Sequence, residues 1–178
     1  MGFVAGTLAL ALWAQAPDDR VRVTETGEER EFPVCTRKGL FSRRIVWSAE
    51  IVEFSIPWRA KVQRMTDDDY YIDYVRYRTG GQEYSLRMMT GPLAGGETPI
   101  ELGDTSIIWT KSKWSCKYAS GSDWKGVSAD GRRWRHRGIP FGSASYRGAP
   151  EKAAKYFDKI LESMCCPKCE ACKQAAGR

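Results

Sequence analysis

The sequence predicts an α+β fold, a mainly antiparallel meander sheet covered by a C-terminal amphipathic helix. Three observations carry that expectation. Short runs rich in β-branched and aromatic residues follow one another from residue 20 to residue 141. Gly80-Gly81 and Asp130-Gly131 lie between such runs, where a two-residue hairpin turn needs glycine. The last patterned stretch then changes to a helical period. Strands followed by a covering helix make a layered α+β domain.

Taken in order, Arg20 to Thr36 reads as two strand-like stretches around a turn at Glu25-Thr26-Gly27-Glu28. Arg44 to Ile56 is one run of Ile, Val, Trp and Phe stopped by Pro57. Tyr70 to Arg78 and Gln82 to Thr90 form a hairpin across Gly80-Gly81. Gly91 to Gly103, with its Pro and Gly, is a loop. Thr105 to Thr110, Lys113 to Tyr118 and Trp124 to Ser128 read as short strands, and Asp130-Gly131 leads into Arg132 to Phe141. Pro150 suits the first turn of a helix, with Glu151 at the positive end of its dipole. Ala153, Tyr156, Phe157, Ile160, Leu161, Met164 and Cys165 recur at helical spacing as one apolar stripe. Lys152, Lys155, Asp158, Lys159 and Glu162 fall on the other side, and Pro167 ends the helix. Lys168 to Arg178 has no apolar pattern.

At 178 residues, with 42% hydrophobic and 28% charged residues, the chain has the balance of a folded globular protein rather than a disordered one. Residues 1–16 carry no charge and end in Ala14-Gln15-Ala16, the small-x-small pattern of a signal-peptidase site. The apolar run is shorter than the roughly 20 residues that span a bilayer. The positive charge that ordinarily precedes such a run is absent, and Pro17 follows the cut. The expected organisation is a signal peptide over 1–16, one α+β domain over 17–164 and a cysteine-rich tail over 165–178, in a periplasmic or secreted protein with no transmembrane segment in its mature form.

Phe54-Ser55-Ile56-Pro57 opening the meander, and Ala153 to Ser163 closing it, resemble the PsbP-like fold of extrinsic photosystem and stress-associated proteins. The resemblance implies a non-catalytic, extracytoplasmic accessory or binding domain, and it transfers no site residues.

Cys35, Cys116, Cys165, Cys166, Cys169 and Cys172 are even in number, as a disulfide framework outside the cytosol requires. Fifteen pairings are open to six cysteines. Cys165, four residues after Leu161 on the apolar stripe, is placed to meet Cys116 in a bridge contributing ~4 kcal/mol by chain entropy. Adjacent Cys165 and Cys166 point apart and need different partners. Two other readings use the same cluster. Thiolates at two-residue spacing suit zinc or an iron–sulfur centre, although the ferredoxin spacing is incomplete. Cys166-Pro167-Lys168-Cys169 has the form of an exchanging pair, but it follows a helix C-terminus, where the dipole opposes a thiolate. Structural disulfides, with no cofactor, are the default.

Charge is uneven. Residues 105–148 hold nine basic residues against Asp123 and Asp130, a net of +7 in a chain of +6, so the remainder is about −1. Arg132 opens a basic strand in which Arg133, Arg135 and Arg137 share one face by the two-residue period. Guanidinium groups in a row repel unless an anion or an acidic side chain answers them, which makes these four arginines an anion-binding candidate for an anionic polymer or acidic partner. The competing reading is a solvated arginine row with Trp109, Trp114, Trp124 and Trp134 packed inward. Interleaved basic and aromatic strands also describe single-strand nucleic-acid binders, a ligand an exported protein rarely meets.

Catalysis finds little support. His136, the single histidine, excludes two-histidine metal motifs and leaves one residue for any nucleophile–His hydrolase pair. Asp67-Asp68-Asp69 lacks EF-hand spacing and reads as a solvated turn. Gly91 to Gly96 lacks the Lys-Ser/Thr of a phosphate loop. The sequence therefore points to an exported, non-enzymatic accessory or binding domain with an anionic ligand, and alternatively to a thiol or metal protein acting through Cys165–Cys172.

Overall fold

A computed structural model describes residues 23–35, 44–49, 52–67, 69–91, 107–117 and 119–167. The expected signal segment, most of the Gly91–Gly103 loop, Cys169 and Cys172 lie outside the described residues. In chain order the elements are β1 (Val23–Glu31), β2 (Arg44–Ala49), β3 (Val52–Pro57), β4 (Lys61–Thr66), β5 (Tyr71–Thr79), β6 (Gln82–Thr90), β7 (Ile107–Cys116), β8 (Ala119–Ser128), β9 (Arg133–Ile139), β10 (Gly142–Ala149) and α1 (Glu151–Leu161). The fold is α+β but dominated by sheet. Eight strands lie in the order β1-β7-β8-β9-β10-β6-β5-β4, and β2 pairs with β3 as a separate two-stranded sheet. Every pairing is antiparallel except that of β1 with β7.

Where turn chemistry is local, the expected hairpins form. Gly80 and Gly81 take φ of 58° and 78°, a backbone that side chains with a Cβ disfavour, and they join β5 to β6 in uninterrupted register. The turn expected at Glu25 to Glu28 does not form. β1 runs through it as one strand parallel to β7, and the extra residues appear as a register shift between Glu25 and Glu29. Arg44 to Ile56, expected as one strand, is instead the β2–β3 hairpin. The two short strands expected at 105–110 and 113–118 are one, β7.

Two strands have no counterpart in the expectation. β4 is exposed along its whole length and shows no apolar alternation. β10, Gly-Ser-Ala-Ser-Tyr-Arg-Gly-Ala, is poor in β formers, yet it lies between β9 and β6. Its small residues have a packing reason, since Ala144 and Ala149 are fully buried in the core that holds Ala153, Ala154 and Phe157 of α1. Gly121 serves a similar purpose. A Cβ there would stand 2.7 Å from the Trp114 indole nitrogen, which reaches over it to donate 2.8 Å to the Gly138 carbonyl.

The helix lays Ala153, Ala154, Phe157, Ile160 and Leu161 on this core, together with Phe54 and Ile56 of β3 and Leu86 and Met88 of β6. It ends at Leu161, short of the expected Cys165. Ser163 Oγ donates 2.6 Å to the Ile160 carbonyl and accepts the Ser55 N–H at 2.8 Å, so a hydroxyl competing for backbone groups turns the chain out of the helix. Residues 164–167 then run as an extended strap. Cys165 and Glu53 exchange backbone hydrogen bonds at 2.9 and 3.0 Å, and Cys166 lies parallel to Val34.

Candidate functional site

On the helix-covered side of the sheet, register sets Arg137 between Asp123 and Ala144, and Arg135 between Lys125 and Tyr146. Both arginines are buried, at 2% and 0% exposure for Arg135 and Arg137. Asp123, also buried, accepts from Arg135 Nε at 3.0 Å and from an Arg137 terminal nitrogen at 2.6 Å. Arg135 also reaches Asp158 at 2.9 Å and Glu162 at 2.5 Å, and Arg137 donates 2.6 Å to the Leu161 carbonyl. The Arg137 guanidinium lies 4.8 Å from the centre of the Phe32 ring.

The three arginines do share a face, but it is the inner one. Protein carboxylates answer Arg135 and Arg137, which are therefore neither a solvated row nor open to a dissolved anion. Arg133 stays half-exposed, 4.0 Å from Glu151, and Arg132 is 3.9 Å from Asp130. Asp158 and Glu162, expected on the solvent side of the helix, supply two of the three answering carboxylates.

Burial works against charge on Asp123, yet Arg135 and Arg137 outweigh it and hold the carboxyl below the usual carboxylate range. Glu162 is likewise held low, burial opposing and Arg135 prevailing. Burial, and next Asp158, push the Tyr146 phenol up, and its hydroxyl donates 3.0 Å to that carboxylate.

Two disulfides join the strap to the sheet, Cys35 to Cys165 and Cys116 to Cys166. The expectation that adjacent Cys165 and Cys166 take different partners is met, while Cys116 takes Cys166 rather than Cys165. Because the helix ends early, the two cysteines alternate as on a strand, which reverses the side each presents. The sulfurs of Cys35 and Cys165 and a Glu53 carboxylate oxygen lie within 4.8 Å of one another. That is a three-ligand set of the kind that holds zinc once thiols replace the disulfide.

Comparison with protein-family models, curated proteins and solved structures finds no match. The residues alone carry the reading.

Of the tryptophans, Trp114 packs on the helix side, while Trp109 and Trp124 form a second buried cluster with Ile107 on the opposite side. His136 is buried on that opposite side, registered between Trp124 and Ser145 and away from the arginine network. Asp67 and Asp69 are exposed between β4 and β5, as a solvated turn requires, and Asp68 lies outside the described residues.

One feature escaped the sequence reading. β6 and β10 pair only from Thr90 to Arg87 against Gly142 to Ser145. Past Ser145 the ladder stops, and β10 also shifts register against β9 between Tyr146 and Ala149. The parted strands leave a cleft of about 400 Å³ lined by Tyr74, Tyr84, Ser85, Arg87, Ser145 and Arg147, with Glu83 and Tyr146. Arg132 braces it, donating 2.9 Å to the Tyr84 hydroxyl and 3.2 Å to the Gly148 carbonyl. The only available signal was the pair of glycines, Gly142 and Gly148, bounding a polar strand.

Proposed function

We propose that this chain is an extracytoplasmic, non-enzymatic binding domain for an anionic ligand. The observation that carries the reading is the pair of disulfides, Cys35–Cys165 and Cys116–Cys166, which belong to an oxidising compartment. No helix among the described residues is long and apolar enough to cross a membrane. Asp123 and Glu162, whose carboxyls the arginines hold low, are engaged in internal ion pairs, which favours a structural role for them over proton transfer. A PsbP-like accessory role agrees with this reading. Intact mass of secreted protein, alkylated without reductant, tests it. A mature chain starting near Pro17 with unlabelled cysteines supports export, and a full-length chain with labelled Cys35 and Cys116 refutes it.

A second reading rests on the Cys35, Cys165 and Glu53 cluster. A dithiol reductant would open the disulfide to two thiols, and deprotonation on zinc binding would complete a three-ligand site. Metal analysis of reduced, zinc-exposed protein tests it. One zinc per chain, lost in Glu53→Ala, supports the site, and no retained zinc excludes it.

A further inference from the structure

We propose that β4 is a docking edge for a second copy of this chain, the two β4 strands pairing antiparallel about a two-fold axis. The proposal goes beyond the anionic-ligand reading and does not depend on it.

β4 ends the eight-stranded sheet, and it is exposed along its whole length. Its register against β5 runs without a break, and Asp67 extends the ladder by donating its N–H to the Tyr70 carbonyl at 2.8 Å. In an antiparallel ladder successive residues turn their backbone groups to one neighbour and then the other. Asp67 bonds inward, so Val62, Arg64 and Thr66 aim their N–H and C=O groups outward. No strand among the described residues lies there to receive them.

Native edges are blunted by bulges, prolines and unanswered charge. β1, at the opposite edge, has a register shift between Glu25 and Glu29 and carries Glu25, Glu28, Glu29 and Glu31. β4 has neither bulge nor proline. Of the six exposed large apolar residues among the described ones, three lie on β4 or just before it: Trp58, Val62 and Met65.

Charge names the occupant. Arg59 and Lys61 are exposed at one end of the edge and form no ion pair among the described residues. Asp67 and Asp69 are exposed at the other end. Asp67 also accepts from the Tyr70 hydroxyl, which leaves its carboxylate lone pairs for a lysine. A segment that is basic at its start and acidic at its end answers itself when its copy runs antiparallel. With the axis at Arg64 and normal to the sheet, Val62 faces Thr66 of the second copy and Gln63 faces Met65. Lys61 then faces Asp67, and Arg59 faces Asp69, each pair occurring twice. Arg64 meets its own copy, but each guanidinium is already held on Asp73 at 2.9 and 2.7 Å. Such an interface is isologous and closes at two copies. A parallel pairing would set like charges side by side.

The test is sedimentation velocity of the full chain across about 1–500 μM, with disulfides formed and non-reducing mass showing no bridge between chains. A reversible monomer–dimer equilibrium should appear. Lys61→Asp sets acid against Asp67 at both ends and should raise the dissociation constant about tenfold or more. Lys61→Asp/Asp67→Lys exchanges the partners and should return it to within about threefold of the original. Lys159→Asp, the same charge change on the exposed helix surface, should leave it unaltered. Val62→Pro removes an outward N–H while keeping every charge, and it should abolish the dimer. Unfolding midpoints at the lowest concentration establish that each variant folds. A monomer at every concentration, a dimer that survives Val62→Pro, equal effects of Lys61→Asp and Lys159→Asp, or an exchange no stronger than Lys61→Asp alone would overturn the proposal.

Discussion

Asp123→Ala deletes the carboxylate on which two buried guanidinium groups converge. Arg135 retains Asp158 and Glu162, but Arg137 keeps no close carboxylate, holding the Leu161 carbonyl, the Phe32 ring and a Glu162 oxygen at 3.7 Å. Removing one partner of a buried pair costs about 3–5 kcal/mol. Because Arg135 stays paired, we expect about 3 kcal/mol, a large share of the roughly 5–15 kcal/mol that holds a domain folded. At a urea slope of about 2 kcal/mol/M this moves the midpoint down by about 1.5 M. The assay is urea unfolding at neutral pH, disulfides intact, followed by tryptophan fluorescence. Asp123→Leu/Arg137→Met removes both charges, and apolar replacement of a buried pair is often neutral or stabilising. The double variant should therefore recover at least about 2 kcal/mol relative to Asp123→Ala. A single-variant loss under about 1 kcal/mol, or a double variant as impaired as the sum of its parts, would refute the account of Asp123 and Arg137 as a buried internal pair.

Other consequences follow from the same contacts. Asp123 and Glu162 titrate low in the folded protein, so their contribution is complete above the unfolded carboxylate range near pH 4 and is lost as pH falls through their depressed values. Tyr146 titrates high, so its contribution is lost as pH rises past about 10, and thermal unfolding should show a plateau between about pH 5 and 10, which Asp123→Asn should lower while making the fall below it shallower. Cys166→Ala, which opens a bridge of sequence separation 50, should cost about 2–5 kcal/mol in chemical denaturation, and a loss under 1 kcal/mol would contradict the strap as a staple. Gly121→Ala should displace the Trp114 indole and cost about 1–3 kcal/mol, visible as a shifted tryptophan emission maximum. An unshifted spectrum would mean the ring does not cross β8.

What could be read from residues alone was what neighbours in sequence decide. Gly80-Gly81 and Asp130-Gly131 fix turns through their own backbone preferences, and the apolar spacing from Ala153 to Leu161 marks the buried helix face. The two-residue period put Arg133, Arg135 and Arg137 on one face, but whether that face looks inward depends on Asp123 one strand away and on Asp158 and Glu162 across the layer. A strand's own sequence holds no such information. β10 was missed because its glycines, serines and alanines serve the packing of α1 rather than strand propensity. The cleft follows from that strand's bulge and shares its invisibility. The disulfide pairing turned on where the helix stops, which Ser163 sets by hydrogen bonds to residues near and far.

The most direct test of the disulfide-closed strap is mass spectrometry of a non-reduced tryptic digest of the secreted protein. Cleavage after Lys or Arg releases Cys35 in 31–37, Cys116 in 114–117, and Cys165 with Cys166 in 160–168. The account predicts one species in which all three peptides are linked, separating into three on reduction. A free peptide carrying Cys35 or Cys116, or either one joined instead to Cys169 or Cys172, would contradict it.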